Sequence, residues 1–317
     1  MSILSPRTVP LGGVRAMTVR RTLPQRERST IGAWCFLDHF GPDVVSEDSG
    51  MVVPPHPHTG LQTVTWLFAG EVEHCDSVGS RQLISPGSVN LMTAGAGISH
   101  SEVSQLGSTT VHGVQLWVAL PEADRHIAPF FEHHVAPRVR LGDAQLTVFV
   151  GALARGLGMP AVAGLGTVAS SATIFSPLVG IEIVAPANSM FVVPVDVTFE
   201  HGILVDAGAI TVNGEAAAQD ELLLLEVGLG ELSIETGNQP VRLVLIGGTP
   251  FTEELVMWWN FLGRSHEEIV AFREQWQGDV VAGGNEAGVF GRVDYDGAAL
   301  PAPEMPTVIL RPRRNHS

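Results

Sequence analysis

The chain has 317 residues, of which 45% are hydrophobic and 16% are charged, and it contains 35 glycines. Its 18 lysine and arginine residues against 33 aspartate and glutamate residues give a formal net charge of −15, which disfavours direct binding to nucleic acid. Two cysteines cannot form a disulfide framework, and the sequence shows neither an apolar N-terminal leader nor an apolar run of about 18 residues. These features predict a cytoplasmic protein without a membrane span.

Most of the chain predicts β structure. Short apolar segments recur between glycine-containing turns, as in Val64–Phe68, Val89–Met92, Val111–Leu120 and Val241–Gly247. Asn213–Gly214 is a strong signal for a two-residue hairpin turn. Regular spacing of this kind favours a sandwich or barrel over alternating strands and helices, so we expect an all-β fold.

Three segments interrupt this pattern. Ser265 to Gln277 is a helical pattern, in which Ser265 is the predicted N-cap and Glu268 completes a capping box. Residues Arg138–Ala144 are interpreted as a connector between two halves of the chain. The glycine- and alanine-rich stretch Gly151–Gly166 predicts a loosely folded loop.

His56 and His58 lie two residues apart, each preceded by proline, just before an apolar run. Residues two apart in an extended chain point to the same side, so both imidazoles can face one point in space. Two ligands of one metal ion must do the same. Taken alone, the pair is more typical of two solvated loop histidines beside prolines than of a metal site.

A second pair has the same spacing. His100 and Glu102 follow the turn Gly95–Gly97 and would also share one face of a strand. If the two strands lie across a barrel interior, three neutral imidazoles and one carboxylate converge. Such a donor set with open coordination positions is typical of non-haem iron sites.

These motifs together resemble the pirin family of the cupin superfamily. The resemblance covers roughly residues 10 to 290, and it is carried by the segments Phe36–Pro42, His56–Trp66, Gly70–Ser77, Pro86–Glu102, Gly113–Pro121 and Gly247–Pro250.

The resemblance implies two cupin (jelly-roll-like β-barrel) domains and a short C-terminal helix. We expect a metal-binding domain over residues 1–137, a linker at 138–144, a domain without metal at 145–290 and an extension at 291–317. The implied cofactor is one divalent ion in the N-terminal barrel, usually iron(II), with nickel, manganese or copper also compatible. Its implied ligands are His56, His58, His100 and Glu102.

Two functions are compatible with this resemblance. The first is a dioxygenase of the quercetin 2,3-dioxygenase type, which acts on a flavonol or another enolic aromatic compound and O2. In that enzyme Glu102 is the candidate catalytic residue, since a carboxylate beside the metal can accept the hydroxyl proton. The second is an iron-containing, redox-sensing regulator that acts through a protein partner. The sequence does not decide between them.

Three further positions concern the site: Gln62 departs from the family motif, and the roles of His74 and His201 need an interpretation. Gln62 stands where many relatives carry glutamate, and strand alternation from His56 and His58 predicts that it faces the metal cavity. His74 is compatible with a structural role or with support of a metal ligand. In the second barrel His201 is isolated, so we expect a structural histidine and no metal there.

Overall fold

The structure is a computed structural model that describes residues 1–11, 17–46, 49–153 and 168–315. Its regular structure is almost entirely β-strand, which confirms the predicted all-β class with one short C-terminal helix. The loop expected at Gly151–Gly166 lies mostly outside the described residues.

The first half of the chain contains twelve strands among the described residues. They are β1 (Ser2–Leu4), β2 (Arg7–Leu11), β3 (Met17–Leu23), β4 (Trp34–Val44), β5 (Val52–His58), β6 (Leu61–Ala69), β7 (Val72–Asp76), β8 (Arg81–Ile84), β9 (Ser88–Thr93), β10 (Ile98–Ser104), β11 (Thr110–Ala119) and β12 (Phe130–Val135).

The second half repeats this organisation and ends with the helix. Its elements are β13 (Arg138–Leu141), β14 (Ala144–Gly151), β15 (Leu178–Ala185), β16 (Met190–Pro194), β17 (Glu200–Ala207), β18 (Ile210–Val212), β19 (Glu215–Ala217), β20 (Leu222–Leu225), β21 (Glu231–Thr236), β22 (Val241–Gly248), β23 (Val256–Trp258), β24 (Phe261–Gly263) and α1 (His266–Gln275), which continues as a π-helical segment, Trp276–Val281.

Within the described residues each barrel is built from two antiparallel sheets. The N-terminal barrel packs a seven-stranded sheet, ordered β12-β9-β6-β11-β4-β3-β2, against a four-stranded sheet, ordered β5-β10-β7-β8. The C-terminal barrel packs β1-β20-β17-β22-β15-β14-β13 against β16-β21-β18-β19.

The two seven-stranded sheets pack against each other and share one hydrophobic core. Strand β17 illustrates why, because its side chains alternate between two cores. Ile203 and Val205 belong to the core inside the C-terminal barrel, whereas Leu204 belongs to the core between the barrels. Across this interface the rings of Trp66 and Phe149 stack with centroids 4.9 Å apart, a contact worth about 1 kcal/mol beyond burial.

A buried polar cluster also joins the barrels. Asp206 of β17 accepts hydrogen bonds at its Oδ1 from the Nε2 atoms of His39 and His112, each 2.7 Å away. Its Oδ2 accepts from Nη1 of Arg242 at 3.2 Å. Burial acts to raise the pKa of Asp206, but the hydrogen bonds from His112 and His39 outweigh it and hold that pKa well below its usual value.

The linker expected at residues 138–144 is corrected by the structure. Arg138–Leu141 forms the edge strand β13, which pairs with β14 across a two-residue turn. The alternation of arginine with valine and leucine, followed by Gly142 at φ +59°, is a hairpin signal that the linker interpretation overlooked. The chain therefore passes between the two large sheets at residues 136–137.

Two further segments cross the expected domain limits. Strand β1 belongs to the C-terminal barrel, where Ser2–Leu4 pairs with β20. The segment after residue 250 returns to the N-terminal barrel, where the Leu262 amide donates to the Thr59 carbonyl. Helix α1 is fixed there by Arg125, whose guanidinium donates two hydrogen bonds, of 3.1 and 2.8 Å, to Glu268.

The helix begins as predicted at Ser265, whose hydroxyl accepts a 3.2 Å hydrogen bond from the Glu268 amide. In a capping box the Glu268 carboxylate would accept a hydrogen bond from the amide of the N-cap residue, Ser265. Here it accepts from the amide of Arg264, one residue earlier. Among the described residues, no helix has the length and hydrophobicity needed to cross a membrane.

The interdomain cluster generates a stability prediction. We expect Asp206→Asn to lower the free energy of unfolding by about 3 kcal/mol, since it removes the charge that satisfies two buried imidazoles and a guanidinium. Denaturant-induced unfolding at pH 7 measures it. The matched control is Asp143→Asn in an exposed turn, expected to change stability by less than about 0.5 kcal/mol. An equal decrease in the free energy of unfolding for the two variants would contradict a stabilising role of this cluster.

Candidate metal centre

The pair His56 and His58 and the pair His100 and Glu102 lie on adjacent strands. Strand β5 pairs antiparallel with β10, with His56 opposite His100 and His58 opposite Ile98. The register shifts between His100 and Glu102, where the prolines Pro54 and Pro55 of β5 occur. Proline cannot donate to a strand ladder, which explains a bulge at this point.

The imidazoles of His56, His58 and His100 converge on one point. His56, His58 and His100 are buried, with exposed fractions of 6%, 1% and 1%. Each offers a ring nitrogen, and these three atoms lie within 4.8 Å of one another. The ring centroids are 4.4 to 5.1 Å apart.

Hydrogen bonds fix the tautomers of the two β5 histidines. Nδ1 of His56 lies 3.0 Å from the Pro54 carbonyl oxygen, and Nδ1 of His58 lies 3.1 Å from the Asn260 carbonyl oxygen. Because a carbonyl oxygen only accepts, Nδ1 carries the proton in each neutral ring. Each Nε2 therefore holds a free lone pair, the form in which imidazole binds a metal ion.

A relay of polar groups orients His100 in the same way. Its Nδ1 lies 3.2 Å from Nδ1 of His74, whose Nε2 lies 3.0 Å from an Asp76 carboxylate oxygen. If Asp76 accepts from His74 Nε2, then His74 Nδ1 accepts from His100, and Nε2 of His100 holds a lone pair. That Nε2 is buried and finds no hydrogen-bond partner among the described residues. His74 thus lies directly behind a candidate ligand.

Burial keeps the three imidazoles uncharged. It lowers the pKa of His56 to about 4 and the pKa values of His58 and His100 well below their ordinary value. Three neutral imidazoles with converging lone pairs, one of them on an unpartnered buried nitrogen, fit a borderline divalent metal ion.

Glu102 occupies a different position from the three histidines. Its carboxylate is not part of the 4.8 Å group, although its side chain lines the same cavity. Oε1 accepts a 3.2 Å hydrogen bond from the Thr65 hydroxyl. Burial raises the pKa of Glu102 above its ordinary value, so this carboxyl holds a proton more readily than an exposed one.

The cavity beside the imidazoles has a volume of about 430 Å³. Its aromatic wall includes Phe36 and Trp117, stacked with ring centroids 4.0 Å apart, and Trp117 also contacts the His58 ring edge-on. Its polar wall includes Arg21, which is bound to Asp38 by hydrogen bonds of 2.7 and 2.8 Å. The cavity can therefore take a flat, partly polar molecule.

The prediction for Gln62 is wrong. Its amide nitrogen donates to the Thr93 hydroxyl and to the Thr173 carbonyl, and the side chain is not among the residues that line the cavity. Gly60, at φ +68°, turns the chain between β5 and β6 and breaks the alternation that the prediction extended from His58.

Sequence reasoning missed several residues that build this site. Asp76 follows His74 by two residues, the same alternate spacing as the predicted pairs, so that signal was present. The Asn260 carbonyl comes from a segment about 200 residues away, and no local pattern could have indicated it.

A second group of three such side chains, His39, His112 and Asp206, also lies within 4.8 Å. These atoms are hydrogen-bonded to one another, and Nη2 of Arg20 lies 3.2 Å from Nε2 of His39. Guanidinium charge at that distance opposes a metal cation, so we assign this group to the contact between the barrels.

Comparisons with known proteins agree with this architecture. The sequence profile of the Pirin family matches residues 14–118, and that of the Pirin C-terminal cupin domain matches residues 180–281. A Pseudomonas aeruginosa protein named "Putative quercetin 2,3-dioxygenase" is 41% identical over 306 residues, which cover 96% of this chain and 90% of that protein.

Solved structures match over both barrels. A quercetin 2,3-dioxygenase from Acinetobacter baumannii has a TM-score of 0.86 at 38% identity, with 99% of this chain and 98% of that chain covered. The Escherichia coli pirin YhhW, crystallised in complex with nickel(II), shares the fold with a TM-score of 0.59 at 20% identity, over 79% of this chain and 99% of its own. The fold, the histidine-rich centre and these matches together show that the chain belongs to the pirin family of cupin proteins.

Proposed function

We propose that this protein is a metal-dependent dioxygenase that acts on a flavonol or a related enolic aromatic compound together with O2. The observation that carries the proposal is the convergence of three buried, neutral imidazoles whose protonated nitrogens are all directed away from the common point. The names of the Pseudomonas and Acinetobacter relatives support the reaction class.

In this proposal His56, His58 and His100 hold the metal ion, and Glu102 is its fourth ligand. A bound divalent ion would supply Lewis acidity toward a substrate hydroxyl group and an open position for a second reactant. Iron(II) suits a mixed nitrogen and carboxylate set with open positions; nickel, manganese and copper are also accepted by such sites. The nickel(II) complex of the Escherichia coli pirin supports this breadth.

Glu102 is also the proposed proton acceptor. It lines the cavity next to the imidazoles, and burial raises its pKa toward the range in which a carboxylate takes up a hydroxyl proton. The Thr65 hydroxyl, bonded to Oε1, holds the carboxylate in place during this transfer. Phe36 and Trp117 are proposed to hold the aromatic rings of the substrate flat against the wall and to exclude water.

The regulatory alternative rests on the family resemblance alone. The cavity and the polar relay behind His100 are features that bind and orient a small molecule, whereas a protein-binding role requires neither. We therefore favour the enzyme.

Turnover of quercetin by the metal-loaded protein tests the proposal. We expect loss of flavonol absorbance with matching O2 consumption, and incorporation of both atoms of ¹⁸O2 into the product. His100→Ala should lose most of its metal by elemental analysis and at least about 100-fold in activity. The control variant His126→Ala, at an exposed position, should keep its metal content and its activity. Full metal content and no turnover across flavonols and small enolic compounds would contradict the proposal.

The relay behind His100 generates a second prediction. We expect His74→Phe to weaken metal binding by about 10- to 100-fold, because it removes the acceptor that fixes the His100 tautomer. Phenylalanine keeps the stacking on Phe131, where the ring centroids are 4.4 Å apart. Competition with a chelator of known affinity measures the effect. An unchanged affinity would assign His74 to packing alone.

The buried imidazoles also predict the pH dependence of stability in the metal-free protein. The unfolded chain protonates its histidines near pH 6.5, whereas burial holds the pKa of folded His56 at about 4. The unfolded state therefore binds more protons in this window, and stability falls as pH drops from about 6.5 to 4. Each such histidine contributes a loss of up to about 1.4 kcal/mol per pH unit.

Denaturant unfolding at pH 7, 6 and 5 measures this slope. The variant His100→Leu has one fewer buried imidazole and should show a shallower decline than the parent protein. Parallel curves for the two proteins would mean that His100 does not contribute to the acid sensitivity.

A further inference from the structure

The interior of the C-terminal barrel contains a separate cavity of about 270 Å³. Its walls are mostly aliphatic, and its deepest lining residues are fully or almost fully buried: Leu178, Val179, Ile181 and Leu245. Apolar walls of this kind leave a cavity dry or available to an apolar ligand.

A buried polar side chain, that of His201, faces this apolar space. His201 lines the cavity and is 1% exposed. It lies on β17 in the series with Ile203 and Val205, the face directed into the barrel. Space for the ring depends on Gly247 of the neighbouring strand, where an added Cβ would lie 2.5 Å from Cδ2 of His201.

The imidazole of His201 is not satisfied by the protein. Within the described part of the chain, neither Nδ1 nor Nε2 has a hydrogen-bond partner. Burial lowers the pKa of His201 to about 4, so the ring is neutral and offers one N–H donor and one lone pair. Leaving both groups unpaired in an apolar cavity is costly, so a ligand that pairs with either nitrogen gains a hydrogen bond there.

The surroundings restrict the chemistry of that group. None of the metal-ligand clusters found among the described residues includes His201, and a single imidazole does not hold a metal ion well. Asp196 also lines the cavity, and hydrogen bonds from Thr198 hold its pKa below the usual value, so it is ionised at neutral pH. A negative charge there disfavours carboxylates and other anions.

We propose that the C-terminal barrel binds a small, uncharged phenol, with its hydroxyl group hydrogen-bonded to His201 and its ring against the aliphatic walls. A hydroxyl group can donate to the ring lone pair or accept from the ring N–H, so it pairs with one of the two imidazole nitrogens through a single hydrogen bond. The volume is larger than the roughly 150 Å³ that accommodates benzene in an engineered apolar cavity, so one ring with a short alkyl substituent fits. This site is independent of the function proposed for the metal centre.

Three probes of matched shape test the proposal on the full chain: 4-ethylphenol, ethylbenzene and 4-ethylbenzoate. By titration calorimetry we expect 4-ethylphenol to bind about fivefold more tightly than ethylbenzene, the effect of one hydrogen bond. The benzoate should bind at least about tenfold more weakly than the phenol. Side-chain nitrogen NMR should show a shift of the His201 ring resonances, which separates this site from phenol binding at the metal.

Two variants locate the binding site. His201→Leu should reduce the preference for 4-ethylphenol over ethylbenzene to less than about twofold. Ala152→Trp places an indole at an exposed residue of the cavity lining and should abolish binding of both probes. Because this variant changes an exposed position, it tests the site even if His201→Leu does not fold.

Three results would overturn the proposal. One is the absence of binding up to the solubility of the phenol, which would mean that ordered water alone fills the cavity. Another is equal affinity for the phenol and the hydrocarbon in the parent protein. The third is binding that leaves the His201 resonances unchanged and persists in Ala152→Trp.

Discussion

The structure depends on the fact that neither seven-stranded sheet has a face that can be left in water. Strand β17 carries apolar side chains on both faces, so one set fills its own barrel and the other set must be covered by the second barrel. The two barrels are therefore held together by a shared core. The same alternation distributes the polar residues of this strand: His201 is directed into the barrel, whereas Asp206 is directed to the interface, where His39 and His112 satisfy it.

The candidate metal centre relies on this union of the two halves. His56 and His58 are placed by local strand geometry, but the orientation of His58 depends on the Asn260 carbonyl, which belongs to the segment that returns from the second barrel. The relay from His100 through His74 to Asp76 is in contrast internal to the first barrel. The candidate ligands all lie in the N-terminal barrel, whereas part of the structure that orients them comes from the segment after residue 250.

This division explains what could be predicted from the sequence. The all-β class follows from short apolar segments that recur between turns, and the shared face of His56 and His58 and the N-cap at Ser265 follow from spacings of two or three residues. That His100 joins the first two histidines was implied by the family resemblance and not by a local spacing. The prediction for Gln62 failed because a single glycine with positive φ ended the alternation. Strand β13 was missed because its alternation of arginine with valine and leucine spans only four residues and was interpreted as a connector. The contacts of Asn260 and of β1 join distant segments, and no local signal encodes them.

Strand β1 has a consequence for biosynthesis. Residues 2–4 emerge from the ribosome well before their partner, Leu222–Leu224 of β20, which is translated more than 200 residues later. At about 5–20 residues per second, the first strand waits on the order of ten seconds or more before it can pair. During that interval Ile3 and Leu4 have no strand partner, and the edge of the C-terminal sheet is completed by a segment that was translated long before the rest of that sheet. A bulky insertion beside β1 would therefore disturb the C-terminal barrel and not the N-terminal barrel.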